Sequence, residues 1–161
     1  EAAGKLNLPV TFHMSPETGY SYGVVDDPGL PLLEACLKRH PHTQFLGHSQ
    51  TFWIEMSADA PTDKESRNQW GKGPVIPGGR VPELFKKYPN SAGCAIMRDP
   101  AFGLEFLETY ADRLFFATDM VNTEMVFPLG QWLDEQAANG ALSRRAYEKI
   151  CFKNAQTVFG L

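Results

Sequence analysis

The sequence predicts an α/β protein built on a parallel sheet, and three observations carry that prediction. Short apolar runs of strand-forming residues recur along the chain, segments of helical periodicity separate them, and each run ends in a metal-competent side chain. Pro9-Val10-Thr11-Phe12 leads to His13, Gln44-Phe45-Leu46-Gly47 to His48, and Phe115-Phe116-Ala117-Thr118 to Asp119. Alternating strands and helices specify parallel strands joined by right-handed crossovers. The carboxyl ends of such strands lie on one face, where residues distant in sequence converge. Two imidazoles and one carboxylate suit a divalent metal such as zinc.

Each element has its own warrant. Glu1-Ala2-Ala3-Gly4-Lys5-Leu6 reads as the last turns of a helix that begins earlier, since no capping residue precedes it. After the first strand, residues 14–29 are rich in Gly, Pro, Ser and Asp, and residues 30–39 carry Leu30, Leu33 and Leu37 at helical spacing. The second strand spans residues 44–47. Residues 49–58 read as a short helix with Phe52, Trp53 and Met56 on one side. Residues 59–80 hold Pro61, Pro74 and Pro77 among glycines and asparagines and read as irregular; loops that long are usually functional or mobile. Residues 81–88 form a short helix. Asp99 as N-cap and Pro100 at the first helical position start another, which runs to Ala111. The third strand covers residues 114–118, a helix follows over 127–139 and stops at Gly140, and Ser143 caps the last helix. A closed barrel of parallel strands takes about 250 residues, so 161 residues are too few to close one.

Composition narrows the function classes. With 43% hydrophobic and 21% charged residues, the 161-residue chain reads as one ordinary globular domain. No apolar run approaches the roughly 20 residues of a membrane helix, and residues 1–15 lack the pattern of a signal peptide. The expectation is a soluble, cytoplasmic protein. The net charge of -4 is spread over both signs without a basic stripe, which argues against nucleic acid. Cys36, Cys94 and Cys151 lack metal-knuckle spacing and read as reduced, mostly buried thiols. Gly78-Gly79-Arg80 and Gly71-Lys72-Gly73 match no phosphate-binding fingerprint.

Each candidate also has an ordinary reading. A lone His after an apolar run is commonly a satisfied structural group, and an Asp after a strand is commonly a cap or turn residue. Repetition at three strand ends favours a site. Met120-Val121 gives no immediate helix start, which favours a pocket role for Asp119. Trp53, Trp70 and Phe52 line either a pocket or the core. Arg98 either pairs with a substrate carboxylate or sits at the surface. His40 and His42 flank Pro41 in a polar turn and read as solvated.

Pro9-Val10-Thr11-Phe12-His13, Phe45-Leu46-Gly47-His48-Ser49, Arg113-Leu114-Phe115-Phe116-Ala117-Thr118-Asp119 and the closing Lys153-Asn154-Ala155-Gln156-Thr157-Val158-Phe159-Gly160-Leu161 together resemble the amidohydrolase-related metal-dependent hydrolases (amidohydrolase family 2). The resemblance covers nearly the whole chain and implies a distorted TIM (β/α)8 barrel. It places His13, His48 and Asp119 at the ends of the fifth, sixth and eighth strands, making residues 1–161 a partial barrel of strands five to eight with their helices. By the same comparison His13 is a metal ligand, His48 a ligand or catalytic imidazole, and Asp119 a ligand or general base. The metal would be zinc or manganese. The implied reaction on a small-molecule substrate is hydrolysis of an amide, ester or lactone, or, as in some relatives, non-oxidative decarboxylation. Two features depart from the family. The His-x-His of its first strand is absent, because His40-Pro41-His42 sits at a helix end. The seventh strand has only Ser91-Ala92-Gly93-Cys94-Ala95-Ile96-Met97 to occupy, which barely admits a typical strand of about 5 residues. The expected partner is therefore a missing N-terminal half or a second copy, and a catalytically incomplete fragment is the alternative.

Overall fold

The computed structural model of the protein describes residues 1–20, 22–94, 100–120 and 122–161. Among them, β1 (Val10–Ser15), β2 (Val24–Val25), β3 (Phe45–His48), β4 (Ser91–Cys94) and β5 (Leu114–Phe115) form one sheet in the order β2-β1-β3-β4-β5. Every pairing is parallel. Between and after the strands come α1 (Ala2–Lys5), α2 (Pro31–Arg39), α3 (Gln50–Trp53), α4 (Lys64–Arg67), α5 (Arg80–Lys87), α6 (Pro100–Thr109), α7 (Leu129–Ala138), α8 (Arg144–Glu148) and α9 (Asn154–Phe159). This is a partial TIM barrel, in which β1, β3, β4 and β5 are consecutive barrel strands. Among the described residues no helix is long and apolar enough to cross a membrane.

Side chains alternate across a strand, and the register fixes which ones share a face. Val10 pairs with Phe45, Phe12 with Gly47, and Gly47 with Gly93, and this set faces the helices. Phe12 meets the Phe52 ring edge-on at 5.9 Å, and a Cβ on either Gly47 or Gly93 would come within 2.5 Å of the Phe52 or Trp53 ring. Glycine is needed at both positions because α3 lies directly on the sheet. Phe52 and Trp53 then join Phe85, Phe106 and Leu114 in the main core. Burying a side chain such as Phe52 or Leu37 contributes about 1.5–3 kcal/mol.

The opposite, inner face carries Leu46, Ala92 and Phe115, with Ala155 and Val158 of α9 packed against them. The Asn154 side-chain amide donates to the carbonyls of Ala111 (2.7 Å) and Leu114 (2.8 Å), fixing α9 beneath the start of β5. Between α8 and α9 the chain passes through a π-helical turn, Lys149–Lys153, and the Ile150 carbonyl accepts from the Phe116 amide at 2.8 Å.

Several expectations need correction. β1 continues two residues past His13 because Met14 and Ser15 pair with Val24 and Val25, a strand too short to show in the sequence. The seventh barrel strand, for which the sequence leaves little room, is present as expected of strands five to eight: it is β4, formed from small residues. β5 is shorter than residues 114–118, since the Phe116 amide leaves the ladder for Ile150. The segment 49–58 divides into α3 and a 3-10 turn, Ile54–Met56. Within residues 59–80, Asp63 caps α4 by accepting from the Ser66 amide at 2.9 Å. Cys36 is exposed and Cys151 half-buried, so these thiols are less sheltered than expected. Arg98 and Asp99 lie outside the described residues.

Candidate active site

The β1–β3 register places His13 directly beside His48 on the inner face. Their ring centroids are 5.0 Å apart and the planes nearly perpendicular, at 81°. Asp119 follows β5 and adopts φ 53°, a left-handed conformation that Asp tolerates better than most residues. All three residues line one cavity of about 360 Å³ at the carboxyl ends of the strands. A larger cavity, about 550 Å³, lies between α5 and α6 and includes none of them.

The electrostatics reflect this convergence. Burial pushes the His13 imidazole below its usual pKa, the neighbouring His48 adds to that, and Asp119 opposes it. His13 is therefore held in the neutral form that binds metals. Its Nδ1 is buried without a hydrogen-bond partner. Most such atoms in proteins are satisfied, so this one is available to a ligand.

Ser49, which the sequence reading passed over, fastens the two histidine strands together. Its Oγ donates to the Met14 carbonyl at 2.7 Å and accepts from the Met14 amide at 3.2 Å and the Phe52 amide at 3.4 Å. One hydroxyl thus ties the residue after His13, the residue after His48 and the start of α3. It does so at φ 97°, where a side chain is strained, and such strain clusters at functional sites. Nothing in the sequence marks this role, because a Ser before a helix reads only as a cap.

The loop after β1 folds back over His13. Gly23, at φ 113°, passes so close that a Cβ would lie 2.5 Å from the His13 carbonyl oxygen. Tyr22 beside it stacks its ring on the His13 imidazole at 4.2 Å. Trp70, Phe127 and Met125 add apolar wall, and Gln50 and Asn68 add amides. Of the aromatic candidates, Phe52 and Trp53 belong to the core and Trp70 to the cavity. His42 is exposed and His40 half-buried, both away from the cavity.

The donor set fits part of a metal shell. Two imidazoles and a carboxylate surround one cavity, yet among the described residues no three His, Cys, Asp or Glu are close enough to enclose an ion. Consecutive parallel β/α units with polar side chains gathered toward the carboxyl ends of the strands define a barrel-type α/β architecture. A sequence model of the amidohydrolase family matches residues 1–161, and the chain belongs to that family, whose members usually bind divalent metals. No curated protein and no solved structure matches the chain.

Proposed function

We propose that this chain is the C-terminal half of a metal-dependent hydrolase that cleaves an amide, ester or lactone bond. The observation that supports it most is the gathering of His13, His48 and Asp119 around one cavity at the ends of three barrel strands. His13 and His48 would hold a zinc or manganese ion through their imidazole nitrogens. Such an ion supplies Lewis acidity, the means of activating water at neutral pH. Asp119 takes the proton of the water that adds to the substrate's acyl carbon and returns it to the departing amine or alcohol. Tyr22 and Trp70 shield the cavity and bound the substrate. The remaining ligands come from an N-terminal half or a second copy, docked where the lower edge of β1 and the outer edge of β5 have no strand partner among the described residues.

Elemental analysis of the purified chain tests this reading. About one equivalent of zinc or manganese, lost in both His13→Ala and Asp119→Ala, is the expected result. A chain that stays metal-free after dialysis against zinc, both alone and with its N-terminal half restored, overturns it. Release of carbon dioxide from aromatic carboxylates, without ester or amide cleavage, would reassign the reaction to decarboxylation.

A further inference from the structure

Arg67 is a buried charge with no part in the chemistry above. Its side chain is 3% exposed and its partner Glu55 6%. The guanidinium reaches across three segments. One terminal nitrogen donates to the Asp26 carbonyl at 3.1 Å, in the loop after β2, and the other to Glu55 Oε1 at 3.3 Å, in the turn after α3. Arg67 itself ends α4, in the long loop between α3 and α5. Glu55 Oε1 also accepts from the Gly29 amide at 3.0 Å. The Asp26 carboxylate accepts from the Leu32 and Leu33 amides and starts α2.

One of these segments builds a wall of the His13 cavity, and the other two adjoin elements that line it. The loop carrying Arg67 supplies Asn68 and Trp70, the stretch after β3 supplies Gln50, and the loop after β1 supplies Tyr22. Burying an ion pair gains little stability over apolar packing, and its best-attested use is to fix one arrangement. The Arg67 Nε is itself buried without a partner, so the group is placed for reach between segments at the expense of full bonding.

We infer that Arg67 is the positioning residue that shapes the substrate cavity, by anchoring with Glu55 the segment that supplies its Asn68 and Trp70 wall to the segments after β2 and α3. The inference rests on that cavity being the active site. Planar donors in a fixed fork suit this three-way junction, whereas a lysine presents a point charge that satisfies one neighbour well.

The test is hydrogen exchange on the metal-free chain, so its outcome is independent of zinc uptake by the wild type. In Arg67→Met/Glu55→Met, which removes both charges of the pair, amides of residues 26–29 and 64–70 should exchange together, about ten-fold faster or more, with β1 and β3 unchanged. Arg67→Lys, a milder change, should accelerate the same two segments by a smaller factor. Trp70 emission, read in a Trp132→Phe background with Trp53 shielded in the core, should become more open to acrylamide quenching. Faster exchange confined to 64–70, faster exchange throughout the sheet, or unaltered Trp70 quenching would each overturn the inference. The first would mean a local anchor, the second a general core role, and the third a wall set by other contacts.

Discussion

The two ends of the sheet are built on opposite terms. At the amino end, two buried asparagines donate to backbone carbonyls of neighbouring segments and tie them together. The Asn90 side-chain amide donates to the carbonyls of Leu37, His40 and Thr43 at 3.0–3.2 Å, and Asn154 does the same for Ala111 and Leu114. At the carboxyl end, Ser49 and Asp119 sit at positive φ, and His13 Nδ1, Ser15 Oγ and Thr51 Oγ1 are buried without partners. The first end uses polar groups to hold the fold, and the second leaves them available. That division is the one expected of a barrel enzyme, whose chemistry sits above the strands and whose stability sits below them.

The contrast predicts graded effects. Asn90→Ala, which removes three hydrogen bonds and leaves the Leu37 and Thr43 carbonyls without this donor, should destabilise the chain by about 3 kcal/mol in urea unfolding; a change under about 1 kcal/mol would remove the amino end's claim to stability. Gly93→Ala should cost about 2 kcal/mol through its clash with Trp53, with a matching fall in thermal midpoint. Ser49→Ala should cost about 1–2 kcal/mol and weaken zinc binding. Ser49→Gly relieves the strained φ while losing the same bonds, so it should recover stability relative to Ser49→Ala without recovering zinc affinity by calorimetry. Asp119→Gly should stay within about 0.5 kcal/mol of the parent yet abolish metal uptake, the clearest separation of the two ends.

A further prediction concerns the outer helices. Hydrogen bonds from Lys87 and Tyr88, with Arg80 adding to them, hold the Glu34 carboxyl down at about 2. Because the folded value lies below the unfolded one, the stabilisation is complete above the ordinary carboxylate range near 4.5 and is lost as pH falls from there toward 2. Glu34→Gln should flatten the acid limb of stability against pH over that window, measured by urea titration at successive pH values.

The sequence disclosed the residues that meet at the cavity better than it disclosed the bounds of the strands. His13, His48 and Asp119 were legible because the same design, an apolar run closing in a ligand-type residue, recurs at three places. β4 was nearly invisible, since Ser91-Ala92-Gly93-Cys94 lacks the branched and aromatic residues that mark strands. Its small residues answer to Trp53 lying against Gly93, a tertiary demand that local propensity does not record. β2 was missed because two residues make no period. Ser49 and Arg67 escaped for another reason: their partners lie 35 and 41 residues away along the chain. The Tyr22 contact depends on Gly23 at φ 113°, and a glycine in a glycine-rich loop carries no distinguishing signal.

The π-helical turn at Lys149–Lys153 sets a phase relation between the last two helices. A π turn accommodates one residue more than an α turn, and each residue advances an α-helix by about 100°. Removing a single residue from this stretch would therefore leave the C-terminal segment helical but rotate it, carrying Asn154 away from Ala111 and Leu114 and swinging Ala155 and Val158 off the inner face. One residue of helical slack is what aims the end of the chain at the base of the barrel.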